Sequence, residues 1–169
     1  MKDVARLVNE MLSAGIIKNY AIFGAVAQMR YTPAVATMDA DILVVTEHQD
    51  SLDVLKPIYA FCSARGYNPD RETIRVGEWP VQFIPVFNSL TEDAVNEAET
   101  GEIEGVAFRV VRADFLAAIA LSTGRPRDFA RILALLESGA VNYEDIAELT
   151  RRYQLQNEWR RFKERFLNE

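Results

Sequence analysis

The sequence holds a single cysteine, Cys62, among its 169 residues. One thiol closes no internal disulfide, so the fold must rest on its apolar core, and this usage suits a reducing compartment. Cys62 reads as a small core residue in a helix. Histidine is equally scarce. His48 is the only one, in a polar loop expected at the surface, which excludes a zinc site built from several imidazoles. No apolar run approaches the ~20 residues needed to cross a bilayer. The first twelve residues, MKDVARLVNEML, are amphipathic and carry acids, unlike a signal or transit peptide. A cytoplasmic protein with no membrane partner is the expectation. Positive charge is short as well: 19 Lys and Arg stand against 25 Asp and Glu, a net charge of −6. That argues against an extended nucleic acid as partner, since such partners are held by broad basic surfaces. A small anion in a locally basic pocket is still compatible. Gly-x-Gly-x-x-Gly, Walker A and Gly-x-Ser-x-Gly patterns are missing, so nothing indicates a dinucleotide turn, a P-loop or a hydrolase elbow.

What is present is ordinary globular material, 49% apolar and 26% charged, in a length that supports a real core. Val4, Leu7, Val8, Met11 and Leu12 recur at helical spacing and predict a first helix, ended by Gly15. Residues 19–24 (NYAIFG) read as a buried strand that turns at its glycine into a short helix over 25–30, broken by Thr32-Pro33. Residues 39–46 (DADILVVT) form the clearest strand. A helix capped by Asp50 or Ser51 is predicted to run to about Arg65, closed by Gly66. Segments 72–76 and 81–86 flank Gly77-Glu78-Trp79-Pro80 as a hairpin. Ser89-Leu90-Thr91-Glu92 matches a capping box, and 108–111 is a short strand. From Asp114 onward the pattern is helical only. Phe129, Ile132, Leu133 and Leu136 share one face, as do Leu155, Trp159, Phe162 and Phe166. Pro126 suits a first turn and Gly139 a helix end. The order implies a mixed α/β half, residues 1–111, and a helical tail, 112–169, within one domain.

The chemistry concentrates in Gly24-Ala25 and in Thr37-Met38-Asp39-Ala40-Asp41. Side chains alternate along a strand, so Asp39 and Asp41 are expected to face one way, about 7 Å apart at their Cα atoms. Two neighbouring carboxylates repel. A divalent cation relieves this, and Mg²⁺ (or Mn²⁺) suits one or two carboxylates completed by substrate phosphates. The strand–glycine–helix unit upstream offers backbone N–H groups to a phosphate. The segment 81–86 could lie beside the Asp strand and bring a further ligand.

These residues, in this order, resemble the nucleotidyltransferase superfamily with the polymerase-β-like core, and more narrowly the minimal bacterial nucleotidyltransferases that include AbiEii-type toxins. Phe23-Gly24-Ala25-Val26-Ala27 stands where that family has its turn into a helix, Thr37, Asp39 and Asp41 match Thr-x-Asp-x-Asp, and Arg125-Pro126-Arg127-Asp128 with Arg131 resembles a later Arg-x-Lys-Asp run. The resemblance implies a nucleotidyltransferase fold, class α/β (α+β), with a mixed β-sheet flanked by helices and a C-terminal helical tail. It implies Mg²⁺-dependent transfer of a nucleoside monophosphate from an NTP to a hydroxyl acceptor. Asp39 and Asp41 would be the catalytic metal ligands, with Gly24, Ala25, Thr37, Gln82, Arg125, Arg127, Asp128 and Arg131 on the nucleotide. Three positions depart from the pattern. Ala25 replaces a usual Gly or Ser, Gln82 stands where a third carboxylate is expected, and Ala120 where a lysine is frequent. Gln82 offers a neutral carbonyl oxygen and cannot be a general base. Glu72 or Glu78 could replace it. The alternative is therefore a nucleotide-binding or toxin–antitoxin-type interaction module of the same fold, with a protein partner.

Overall fold

The computed structural model describes residues 1–47 and 53–167. His48 and the helix caps expected at Asp50 or Ser51 lie outside the described residues. Two compact units emerge, one of Met1–Ala27 and Ala36–Val111, the other of Gln28–Val35 and Arg112–Glu169.

The first unit runs α1 (Lys2–Ser13), β1 (Asn19–Phe23), α2 (Gly24–Gln28), β2 (Ala40–Val45), α3 (Lys56–Ser63), β3 (Pro69–Asp70), β4 (Thr73–Val76), β5 (Trp79–Pro85), α4 (Ser89–Asn96), β6 (Glu99–Ile103) and β7 (Val106–Val110). Gln28, the last residue of α2, belongs to the second unit. The strands make one mixed sheet in the order β3-β4-β5-β2-β1-β7-β6. At its centre, β2 runs antiparallel to β1 and parallel to β5. One face carries Tyr20, Ala40, Ile42, Val44, Val81 and Phe83, which form a core with Val4, Leu7, Val8 and Met11 of α1 and with Ile58 and Cys62 of α3. Each fully buried aliphatic side chain there contributes roughly 1.5–3 kcal/mol. Burial pushes the Cys62 thiol up to about 11, as befits a core group. Because Ala40, Ile42 and Val44 take that face, Asp41, Leu43 and Val45 take the other. α4 packs against β1 and β2 and buries Leu90, Ala94 and Val95.

Several expected boundaries move. The Asp strand is Ala40–Val45, not 39–46, and Asp39 lies in the bend that leads into it. The hairpin turn is only Gly77-Glu78, because Val76 pairs with Trp79. The α4 cap is Asn88, whose side chain accepts from the Thr91 backbone N–H at 2.9 Å, one residue earlier than the Ser89 box. Two edge strands are additions: β3, two exposed residues long, and β6, whose sequence ETGEI has no apolar alternation and a glycine at its centre. The turn Glu104-Gly105, with both residues at positive φ, folds β6 onto β7. The match at the first helix is close. Ile16 donates its backbone N–H to Met11 O and Gly15 to Leu12 O, so glycine closes α1 in the way its sequence position implies.

Among its described residues the second unit has the helices α5 (Ala113–Thr123), α6 (Pro126–Glu137), α7 (Tyr143–Arg152) and α8 (Gln156–Phe166). α5 is apolar on every side, buries eight of its eleven residues, and packs against the other three. Ala120, at the position of the frequent lysine, is 1% exposed within this helix. The two predicted apolar faces meet: Phe129 of α6 lies 5.8 Å from Phe162 and 5.3 Å from Phe166 of α8, ring centre to ring centre. No helix among the described residues is long and apolar enough to cross a membrane.

Candidate active site

Asp41 is the second residue of the central strand β2 and is paired on both sides. Its register partners are Phe23 on β1 and Gln82 on β5. Directly paired residues share a sheet face, so the half-buried Gln82 amide stands beside the half-buried Asp41 carboxylate. The residue after Phe23 is Gly24, at φ +65°. A Cβ built there would overlap Asp41 Oδ2 and lie 3.2 Å from its Cγ. Glycine is required twice, for the left-handed backbone and for the space the carboxylate occupies. The Asp41 carboxylate is thus aimed at the glycine turn.

Asp39 is positioned differently from the expectation. It does not belong to the pleat, so strand alternation does not orient it. Thr37 Oγ1 donates a hydrogen bond to Asp39 O at 2.9 Å and stitches a tight turn just before β2. This leaves Met38, at the apex, 89% exposed. Asp39 and Met38 line an open groove of about 560 Å³ with Asp70, Arg71, Glu72 and Pro80. Arg71 holds φ +58° at the β3–β4 turn, an uncommon conformation for a residue with a Cβ. Glu72 therefore shares a groove with Asp39. Glu78 is exposed in the Gly77-Glu78 turn, where its backbone carbonyl accepts from Arg75 at 3.5 Å. Among the described residues, no three Asp, Glu, His or Cys side chains gather closely enough to hold a metal ion.

The arginine-rich segment lies in the second unit. Asp128 is 1% exposed. It accepts from Thr123 Oγ1 at 2.8 Å, from Arg125 Nε at 2.6 Å and Nη2 at 3.3 Å, and from the Arg125 backbone N–H at 3.3 Å. Arg131 Nη1 is 3.6 Å from its other side. Burial alone would raise this carboxyl. The hydrogen bonds from Arg125 and Thr123 outweigh it and hold the pKa below the ordinary value. Arg131 Nε also donates to Gln28 Oε1 at 3.1 Å, a partner 103 positions away in the chain. Arg127 is exposed one residue before Asp128.

No protein-family profile and no characterised protein sequence matches the chain. Solved structures do. An antigenic nucleotidyltransferase-like protein from Paracoccidioides brasiliensis aligns with a TM-score of 0.62 and 14% identity over 99% of this chain and 88% of its own. The antibiotic-resistance factor ANT(2'')-Ia aligns in its solution structure with a TM-score of 0.54 and 14% identity, covering all of both chains. Its complex with adenylyl-2''-tobramycin aligns at 0.54 and 14% over 92% of this chain and 98% of its own.

This chain has the nucleotidyltransferase fold.

Within that fold the Asp41, Gly24 and Gln82 neighbourhood is local to three consecutive strands of the sheet order, β5-β2-β1. The chain from Thr37 to Asp41 supplies both acids and the turn that leads into β2. Sequence reasoning singled out all of these positions. It missed Arg71 and Gln28, and Gln28 carried no signal, because its partner Arg131 is remote in sequence and neutral amides pair with many groups.

Proposed function

We propose that this chain is a divalent-metal-dependent nucleotidyltransferase that moves a nucleoside monophosphate from an NTP to a hydroxyl of a small acceptor. The observation that carries the reading is the interlock of Gly24 with the Asp41 carboxylate. A glycine turn into a helix and a strand carboxylate are held within atomic contact, the carboxylate occupying the place that any other residue's Cβ would take. The donor set also fits a hard cation. Asp39, Asp41 and the Gln82 carbonyl are all oxygen ligands, and Mg²⁺ or Mn²⁺ prefers oxygen and leaves positions for phosphates. Such an ion, when bound, neutralises phosphate charge during transfer. Asp39 and Asp41 are the proposed ligands, and Thr37 holds the Asp39 backbone in place. Gly24 and Ala25 lie at the proposed phosphate turn. Arg125, Arg127 and Arg131 are the proposed phosphate-binding groups of the helical unit. The acceptor hydroxyl oxygen bonds to the α-phosphorus as the bond to pyrophosphate breaks. Gln82 cannot take the released proton. Glu72, in the groove beside Asp39, is the proposed proton acceptor.

The structure of ANT(2'')-Ia with adenylyl-2''-tobramycin contains an adenylylated small molecule, which is in keeping with a small acceptor here, as is the −6 net charge. A narrower placement among the minimal bacterial, AbiEii-like enzymes is part of this reading. It is supported by the succession of Thr37-x-Asp39-x-Asp41 and Arg125-Pro126-Arg127-Asp128, and it brings with it a cytoplasmic setting.

Incubation of the protein with Mg²⁺, each labelled NTP and a cell extract is expected to label an acceptor. Asp39→Asn and Asp41→Asn should each lower transfer roughly a hundredfold or more, the scale of losing a preorganised charge contact in the transition state. Nucleotide binding without transfer in the wild type would favour the interaction module. Unchanged transfer in both variants would refute the metal-site assignment.

A further inference from the structure

We infer that the second unit holds a small-molecule site of its own, an opening between the 28–35 segment and the C-terminal half of α6, which takes an uncharged cyclic amide of nucleobase size. The opening measures about 360 Å³, and both of its sides belong to that unit. Its floor is Gln28, 5% exposed. A buried amide needs partners at both ends. Gln28 Oε1 accepts from Arg131 Nε at 3.1 Å. A guanidinium only donates, so the oxygen must face Arg131 and the NH₂ group must point elsewhere. No described residue accepts from that NH₂ group, yet it is not sealed from solvent. Because Gln28 lines the opening, its unused N–H donors are offered there.

The facing side comes from α6. Positions 131, 134 and 138 recur at i, i+3 and i+7 and share one helix face. Ala134 therefore stands one turn beyond the Arg131–Gln28 contact, and its small side chain leaves the space open. Ser138 is the C-cap of α6. Its hydroxyl donates to Leu135 O at 3.0 Å, which leaves the Oγ lone pairs to accept. The exposed Glu137 carboxylate beside it also only accepts, and a helix C-terminus favours donors and positive charge. Among the described residues that line the opening none is cationic, so a phosphate finds no counter-charge there. Pro33, Ala134 and the 36% exposed Val35 supply apolar walls that suit a flat ring. The complementary ligand presents a carbonyl to the buried Gln28 donors and N–H groups to the acceptors at the rim. Guanine has this pattern, with O6 next to two N–H positions. Adenine has neither the carbonyl nor the ring N–H.

Calorimetric titration of the full-length protein with guanosine in EDTA tests this without phosphate or metal. Guanosine is expected to bind at one site, and adenosine roughly tenfold or more weakly, since it leaves the Glu137 acceptor and the Gln28 donors poorly matched. Gln28→Glu keeps an oxygen for Arg131 and removes the N–H donors, so guanosine affinity should fall about tenfold or more. Glu137→Gln lies at an exposed position where the fold is not at stake, and should lower affinity about fivefold. Asp41→Asn should leave guanosine binding unchanged. Absence of guanosine binding, equal affinity for adenosine, unchanged affinity in either Gln28→Glu or Glu137→Gln, or loss of binding in Asp41→Asn would each overturn the assignment.

Discussion

The most demanding single residue is Gly24. At φ +65° a side chain would already cost about 1–2 kcal/mol, and the Asp41 carboxylate occupies the place its Cβ would take. Gly24→Ala therefore has to displace either the turn or the carboxylate. Its expected effect is a loss of some 1–3 kcal/mol in denaturant unfolding together with a transfer rate at least tenfold lower, since a displacement near 1 Å is enough to misplace a reacting group. A variant with native activity would show that the contact is not part of the site. Asp39 illustrates the opposite case. Its place comes from a side chain two positions away, Thr37, whose hydroxyl reaches the Asp39 carbonyl.

At the scale of elements, α4 shows how a short helix is held at both ends. Asn88 accepts from the Thr91 backbone N–H, and Thr91 Oγ1 accepts in turn from the Asn88 backbone N–H at 3.2 Å. At the other end, Arg109 of β7 donates through Nη2 to Val95 O at 3.0 Å and to Asn96 O at 3.3 Å. These side chains satisfy backbone groups that a helix leaves open at its termini. Asn88→Ala is expected to cost about 1 kcal/mol, measured as a lower denaturation midpoint with an unchanged slope. Its distance from the Asp41 neighbourhood along β2 and β5 should leave nucleotide binding intact. The elements that sequence patterning located well, α1, β1, β2, α5 and α6, bury a continuous apolar face or carry a defined end residue. β3 and β6 escaped because edge strands need neither: β3 is exposed on both residues and β6 on three of its five, so their pairing is decided by the neighbouring strand and by a tight turn.

For the whole molecule, occupancy of a native-state site should be visible in stability. Mg²⁺ with the preferred NTP at about a hundredfold excess over its dissociation constant adds roughly 2.7 kcal/mol, equivalent to an upward shift of roughly 5–10 °C in a chain of this size. Asp41→Asn should abolish the part of that shift that depends on Mg²⁺, and a wild-type melting temperature indifferent to every NTP would contradict nucleotide binding. The amino-acid sequence by itself settled where the charged residues lie, that Thr37, Asp39 and Asp41 come as one short run, and that the elements after Val110 are helices, because local periodicity and end residues are read within a few positions. Only the tertiary structure decided that Gln82 stands in register with Asp41, that Gly24 closes on the Asp41 carboxylate, that Asp39 belongs to a turn rather than the strand, and that Asp128 is buried between two arginines. Those outcomes depend on strand order and on contacts between residues tens of positions apart, and no local pattern encodes which distant partner a side chain will meet.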